Sequence, residues 1–268
     1  MGGRTARSEP AFLAELRALG APPALTVRLR AFLRALHPGA QERIYHSYAH
    51  TCEVAGLTAR MLKSWPRVPP DRKILLILAS ALHDVDPRRT PNTAPRVPST
   101  LRHLASDRTA RRLLRDFGAR FGFTAAQVSA LIMATDYSPR PSEMRRKRAE
   151  FARARRAAFG RDPWIGEWGR RLAFWDQIAT YLRPPADARK RVAGLARELR
   201  AEQPDFRPEK GMREMSRRFL ANLRRDPLFL YLPLEDRRRF DAAAAELTRA
   251  RRRARAHRAR SRVRARAK

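Results

Sequence analysis

The chain has 268 residues, of which 43% are hydrophobic, and its 59 lysines and arginines against 26 acidic residues give a formal net charge of +33. This length and apolar content support one large folded domain or two small ones, while the longest apolar run, residues 74–82, falls well short of the ~20 residues of a membrane span. A single cysteine, Cys52, excludes an internal disulfide, and residues 1–10 lack the apolar segment of a secretory signal, so we expect a cytoplasmic protein without a membrane span.

The positive charge comes almost entirely from arginine. A field of this size attracts phosphate-bearing partners and anionic surfaces. Arginine that is abundant together with alanine and proline is also typical of a GC-rich genome, so the charge alone does not identify a nucleic-acid-binding protein. Residues 249–268 form an arginine-rich tail without acidic residues, which we expect to be disordered or a frayed helix and which is a candidate contact for nucleic acid.

Apolar residues recur at intervals of three and four along most of the chain, which is the period of an α-helix. This period predicts helices over residues 9–18, 23–36, 43–63, 71–83, 100–117, 125–135, 142–158, 168–182, 187–201 and 211–224, and from about 234 into the tail. Thr124 and Gln127 have the spacing of a capping box at the start of the sixth of these helices. No segment alternates between apolar and polar residues as a half-buried β-strand does, so the sequence predicts an all-α fold.

Four prolines between residues 86 and 98 exclude a helix there and predict a loop. Loops that follow rigid elements often carry substrate contacts. We therefore expect N-terminal helices packing on the core (1–39), a central helical domain (40–185), a C-terminal helical extension (186–247) and the tail (248–268).

His83 and Asp84 stand side by side at the polar end of the most apolar predicted helix, and this pair is the strongest functional signal in the chain. Upstream, His46 and His50 are four residues apart, a spacing that puts both side chains on one face of a helix. Downstream, Asp176 lies in an apolar helical segment where an unpaired carboxylate is costly. Two histidines and two aspartates would close on one Mn, Mg, Fe or Zn ion, leaving His46 for proton transfer.

Several short segments together resemble the HD superfamily of metal-dependent phosphohydrolases, and within it the catalytic domain of class I cyclic nucleotide phosphodiesterases. Residues 45–54 resemble that family's Tyr-His-Asn-x-x-His-x-x-Asp-Val, and residues 83–86 resemble the start of its His-Asp-Val-Asp-His. Asn92 matches a family asparagine, and residues 133–138 resemble its Leu-Ala-Thr-Asp-Met-Ser. The resemblance covers about residues 43–182, and small bacterial HD proteins share its first two segments.

The resemblance implies an HD-type helical bundle with its catalytic domain at residues 40–185, and it implies phosphoester hydrolysis by water that a divalent metal activates. The first metal would be bound by His50, His83, Asp84 and Asp176. Asp84 would also reach a second metal through a shared water. His46 would protonate the leaving alkoxide, and Tyr45 and Asn92 would lie near the phosphate or its waters.

Some positions depart from the family pattern. Pro87 stands where the phosphodiesterases have a histidine, and Arg102 stands where a loosely aligned family segment has a glutamate that helps to hold the second metal's water shell. Whether one ion or two bind is therefore open. His103 can stand in for a family histidine near the phosphate, and Arg88 with its neighbouring arginines could grip the phosphate.

The first hypothesis is therefore a metal-dependent phosphohydrolase acting on a nucleotide or cyclic nucleotide. The alternative is a catalytically weak or inactive HD-fold protein that binds nucleic acid or another anionic partner through its basic surface. Asp136 competes with Asp176 as a ligand, although it could equally be a turn residue after a helix. The sequence does not indicate an oligomeric state.

Overall fold

A computed structural model of the chain describes residues 9–36, 45–85, 96–136, 141–202 and 208–247. Every regular element within these ranges is helical, which confirms the all-α prediction. The α-helices are α1 (Ala11–Ala18), α2 (Pro23–Ala35), α3 (Tyr48–Lys63), α4 (Pro70–Leu82), α5 (Arg96–Ser106), α6 (Arg108–Phe121), α7 (Ala125–Ala134), α8 (Pro141–Phe159), α9 (Pro163–Ala179), α10 (Pro185–Glu202), α11 (Pro208–Arg225) and α12 (234–247). Short 3₁₀ turns at Thr180–Leu182 and Pro227–Tyr231 follow α9 and α11.

The helices form two compact units, Met1–Asp176 and Gln177–Lys268. The first unit therefore contains the N-terminal helices together with the central ones, and the division falls inside α9 rather than at residue 185. The functional domain boundaries drawn from the sequence stay a prediction. No helix within the described ranges is long and apolar enough to cross a membrane.

The core of the first unit is built on α4. Its residues Ile74–Leu82 are all buried, because the run is apolar on every side and α3 packs along one of those sides. A buried hydrogen bond of 2.8 Å between the hydroxyls of Ser80 and Thr58 joins α4 to α3. This pairing satisfies two polar groups that would otherwise be costly inside the core, and it fixes the register of the two helices.

Two predicted elements near residue 100 were wrong at their boundaries. Residues 100–117 are not one helix, because Asp107 ends α5 and caps α6, its carboxylate accepting the backbone N–H of Ala110 at 2.8 Å. The predicted loop over residues 86–98 is also too long, since α5 already begins at Arg96. Pro98 fits there because the first turn of a helix needs no backbone N–H donor. Residues 86–95 lie outside the described part of the chain.

Helix α3 begins at Tyr48 instead of residue 43. Ser47 is its N-cap, with an extended backbone and a hydroxyl 3.4 Å from the backbone nitrogen of His50. A serine side chain competes for backbone donors and so favours a helix start over a helix interior. His46 consequently lies before α3, and the prediction that His46 and His50 share a helix face was wrong.

Gly169 allows α9 to pack closely on its neighbours in the first unit. A Cβ at this position would lie 2.6 Å from Cζ of Phe151 on α8 and 3.1 Å from Cβ of Ala134 on α7. Asp176 follows two helical turns later, so the side of α9 that packs here is also the side that carries this carboxylate.

The second unit has its own apolar cluster around Phe240, which is 1% exposed. The ring of Phe240 packs edge-on against Phe229 and Tyr181, with centroid separations of 5.0 and 6.1 Å. Burial raises the pKa of the Tyr181 hydroxyl. Leu220 and Leu223 of α11 are also buried in this unit.

We expect Gly169→Ala to destabilise the protein although alanine is the better helix former. Overpacking lowers the free energy of unfolding by about 1–3 kcal/mol, and the gain in helix propensity offsets about 1 kcal/mol of that loss. Gly56→Ala on α3 is the matched control, since nothing lies within 4 Å of its Cβ and only the gain applies. Urea unfolding of both variants measures the difference, and equal stabilisation of the two would contradict the close packing of α9.

Candidate metal centre

Three helices of the first unit bring His50, His83 and Asp176 together. One candidate ligand atom from each residue lies within 4.8 Å of the other two. Oδ1 of Asp176 is 3.3 Å from Nε2 of His50 and 3.1 Å from Nε2 of His83. Both imidazoles thus face one carboxylate oxygen. His50 lies in the first turn of α3, His83 caps the C-terminus of α4, and Asp176 lies on α9.

The spacing of these atoms fits coordination to a transition metal. With metal–nitrogen and metal–oxygen bonds of about 2.0–2.1 Å, adjacent ligands of a six- or four-coordinate ion are about 2.9–3.4 Å apart. Both measured nitrogen–oxygen separations fall in that range. The two histidines are 2% and 3% exposed, so the pocket that they form is shielded from bulk water.

The orientation of His83 is fixed by the helix that carries it. Its Nδ1 lies 2.6 Å from the carbonyl oxygen of Ser80, one turn earlier in α4. Because a carbonyl only accepts, Nδ1 carries the proton and donates, which leaves Nε2 as the atom that faces Asp176. A metal-binding histidine is commonly held in this way by a hydrogen bond from its other ring nitrogen.

His50 lacks the corresponding support. Its Nδ1 is buried and has no hydrogen-bond partner among the described residues. The ring instead packs against aromatic neighbours, with its centroid 5.0 Å from that of Tyr45 and 5.7 Å from that of His83. Aromatic packing therefore positions His50, whereas a hydrogen bond positions His83.

The electrostatics of the metal-free cluster are those of an ion pair. Burial lowers the pKa of His83, but the Asp176 carboxylate, supported by Asp84 and the Ser80 carbonyl, outweighs it and raises that pKa to about 9. Burial raises the pKa of Asp176, while the imidazoles of His83 and His50 pull it below its ordinary value. The same geometry thus holds an imidazolium next to a carboxylate when no metal is bound.

Asp84 is not part of the three-residue group. Consecutive residues at a helix end point about 100° apart, so His83 and Asp84 do not present their side chains to the same point. The carboxylate of Asp84 is nevertheless near enough to contribute to the raised pKa of His83. Its predicted roles as fourth ligand and as bridge to a second ion stay predictions.

Asp136 is engaged elsewhere. Its Oδ1 lies 2.5 Å from Nζ of Lys147 on α8, and the same ammonium is 3.8 Å from Glu143. Of the two carboxylates that competed in the sequence, only Asp176 meets the histidines.

The structure describes three of the five remaining predicted site residues. The ring of His46 lies edge-on to that of Tyr45 at 4.8 Å and to that of His50 at 6.2 Å, so this pair borders the cluster. His103 stacks on Phe32 with a centroid separation of 6.2 Å, and its Nε2 is buried without a hydrogen-bond partner among the described residues. Asn92 and Arg88 lie outside the described residues.

Sequence reasoning missed the hydrogen bond that orients His83 and the contact of Trp65 with α9. The first was detectable, because a backbone carbonyl one turn back, here that of Ser80, is often the acceptor for a histidine ring. The place of Trp65 was harder to foresee: its ring lies 4.6 Å from that of Trp168, which is 6.0 Å from that of Trp175. The guanidinium of Arg171 lies 3.7 Å from the Trp65 ring centre.

The chain matches no protein-family model, no curated protein and no solved structure. The resemblance to the HD superfamily therefore depends on the short sequence motifs alone.

We expect metal binding to be linked to proton release. Since His83 holds a proton up to a pKa of about 9 in the metal-free protein, an ion must displace that proton, and affinity should rise with pH below this value. Release of one proton changes the Kd for Zn²⁺ by about tenfold per pH unit. Calorimetry between about pH 6 and 8, in buffers of different ionisation enthalpy, measures both quantities. A pH-independent Kd with no proton release would contradict coordination by His83.

Proposed function

We propose that this protein is a metal-dependent phosphohydrolase that cleaves a phosphoester of a nucleotide or cyclic nucleotide. The observation that carries the proposal is the approach of two imidazole nitrogens to one carboxylate oxygen, at 3.1 and 3.3 Å. These residues are three of the four ligands that the HD resemblance implies, and three separate helices carry them. A purely structural ion pair needs one histidine, whereas this cluster has two.

His50, His83 and Asp176 would hold the ion. Two imidazoles and a carboxylate suit Mn, Fe or Zn better than Mg, which prefers an all-oxygen environment. When bound, such an ion supplies a Lewis acid for the phosphoryl oxygen and lowers the pKa of a coordinated water. The carbonyl of Ser80 keeps Nε2 of His83 directed at the site throughout.

His46 would supply the proton to the leaving oxygen. It borders the cluster without belonging to it, and Tyr45 holds its ring edge-on. Because histidine titrates near neutral pH, an imidazolium here can donate without being permanently charged. Asp84, the residue after the ligand His83, would orient a water or help to hold a second ion.

We expect purified protein reconstituted with Mn, Fe, Zn or Mg to hydrolyse bis-p-nitrophenyl phosphate or a member of a panel of cyclic and linear nucleotides. Asp176→Asn should lose bound metal and at least about 100-fold in turnover, since it removes the carboxylate that both imidazoles share. Asp136→Asn is the matched control, because it neutralises a carboxylate of the same unit that pairs with Lys147 instead. Metal content, measured by mass spectrometry, and initial rates of hydrolysis are compared between the two variants and the wild type.

Wild-type protein that takes up none of these ions would refute the proposal. Equal effects of Asp176→Asn and Asp136→Asn, in variants that keep the wild-type circular dichroism, would refute the assignment of the ligand.

His46→Gln separates proton transfer from metal binding. It should keep the metal content and lower turnover about 10²–10⁴-fold, the usual contribution of general acid–base catalysis. The loss should shrink for substrates with good leaving groups, such as p-nitrophenolate, because these need no proton. An equal loss for good and poor leaving groups would remove His46 from the role of acid.

A further inference from the structure

Helix α6 carries an exposed row of arginines that the proposed hydrolase site does not use. Arg108, Arg111, Arg112 and Arg115 follow the spacing i, i+3, i+4, i+7, so they share one face over two turns, and all four are exposed. The row spans about 10 Å at 1.5 Å per residue. The opposite face of α6, with Leu113, Leu114 and Phe117, is buried in the first unit.

The charges of this arginine row are poorly compensated. Nε of Arg115 lies 3.3 Å from Asp116, a carboxylate that also takes a 2.8 Å contact from Arg28. Within the described part of the chain, no ion pair reaches Arg108, Arg111 or Arg112. Like charges at these spacings repel, and cations in the first turn oppose the helix dipole. These repulsions lower the stability of the folded protein, and a bound anion would reduce them.

A groove lies beside the arginine row. It has a volume of about 650 Å³, and its lining includes Arg111 and Arg115 of α6, Thr124 and the first residues of α7. Leu104 and Phe123 are among the apolar side chains that line it. Arg111 and Arg115 therefore border a concave surface and not a flat one.

We propose that the arginine row of α6 binds the phosphate backbone of double-stranded DNA without sequence preference. Guanidinium groups match phosphate oxygens in geometry and charge. A helix about 10–12 Å across, with arginines spread over its outer face, suits the major groove of B-form DNA, which is about 12 Å wide and flanked by two phosphate rows. The A-form duplex of RNA closes that groove to a helix.

The surroundings of the row argue against other anionic partners. Helices that lie on membranes bury an apolar face in the lipid, but the apolar face of α6 is inside the protein and none of its large apolar side chains is among the exposed ones. Proteins that bind single strands stack the bases on exposed aromatic rings. The row offers arginine only, which fits contact with a duplex backbone.

The test compares two variants of the full chain that lose the same charge. The first replaces Arg108, Arg111, Arg112 and Arg115 by Gln. The second, the matched control, replaces Arg145, Arg148, Arg153 and Arg156 on α8, which are also exposed and have no ion pair within the described residues. Glutamine keeps nearly the same helix propensity as arginine, and circular dichroism checks the fold. The arginines of residues 249–268 contribute the same background to both.

Fluorescence anisotropy with a random-sequence DNA duplex, at several salt concentrations, gives affinity and salt dependence. The α6 variant should lose about 10²–10⁴-fold in affinity, and the slope of log K against log salt should fall by about 3–4, as expected for loss of three or four phosphate contacts. The α8 variant should stay within a few-fold of wild type. Equal losses in both variants would show that overall charge alone is responsible and would overturn the proposal.

Wild-type protein that prefers duplex RNA, single-stranded DNA or phosphatidylserine vesicles over duplex DNA would also overturn it. The α6 variant should hydrolyse bis-p-nitrophenyl phosphate at the wild-type rate in the presence of metal. Loss of DNA binding with retained hydrolysis supports the row as a separate surface, whereas absence of hydrolysis in the wild type bears on the proposed function alone.

Discussion

The carboxylate of Asp176, which two histidines share, is the interaction on which the proposed chemistry depends. Burying a carboxylate costs several kcal/mol unless positive charge and hydrogen-bond donors replace its water. The imidazolium of His83 and the nearby ring of His50 provide that compensation in the metal-free protein. A divalent ion would satisfy the same oxygen and both nitrogens at once. Proton and metal would therefore be alternative occupants of one negatively charged position.

The supports of this position come from ordinary features of helices. An apolar run buries α4 and carries His83 to its end, and the carbonyl one turn back directs the ring. A serine cap starts α3 just before His50. Gly169 lets α9 approach its neighbours, two turns before Asp176. None of these features takes part in catalysis, but each restricts the position of a side chain in the cluster.

Much of this arrangement could be predicted from the sequence. The period of three and four gave the helices, and Thr124 with Gln127 forms the capping box that its spacing indicated. His83 was singled out by its place at the end of an apolar helix, His50 by its spacing to His46, and Asp176 by the cost of an unpaired carboxylate in an apolar segment. The start of α3 and the break at Asp107 were missed, since a serine or aspartate in a helical pattern can equally be tolerated as an interior residue. Which carboxylate reaches the histidines depends on the tertiary packing of α7, α8 and α9, and local patterns do not contain it.

All four tryptophans of the chain belong to one aromatic cluster. Trp164 stacks on Trp168 at 5.2 Å, Trp168 neighbours Trp65 and Trp175, and Trp175 directly precedes Asp176. The ultraviolet emission of the protein consequently originates almost entirely from this one place. Trp175 is bonded directly to Asp176, so we expect an ion or a proton that binds this carboxylate to change the emission of the protein.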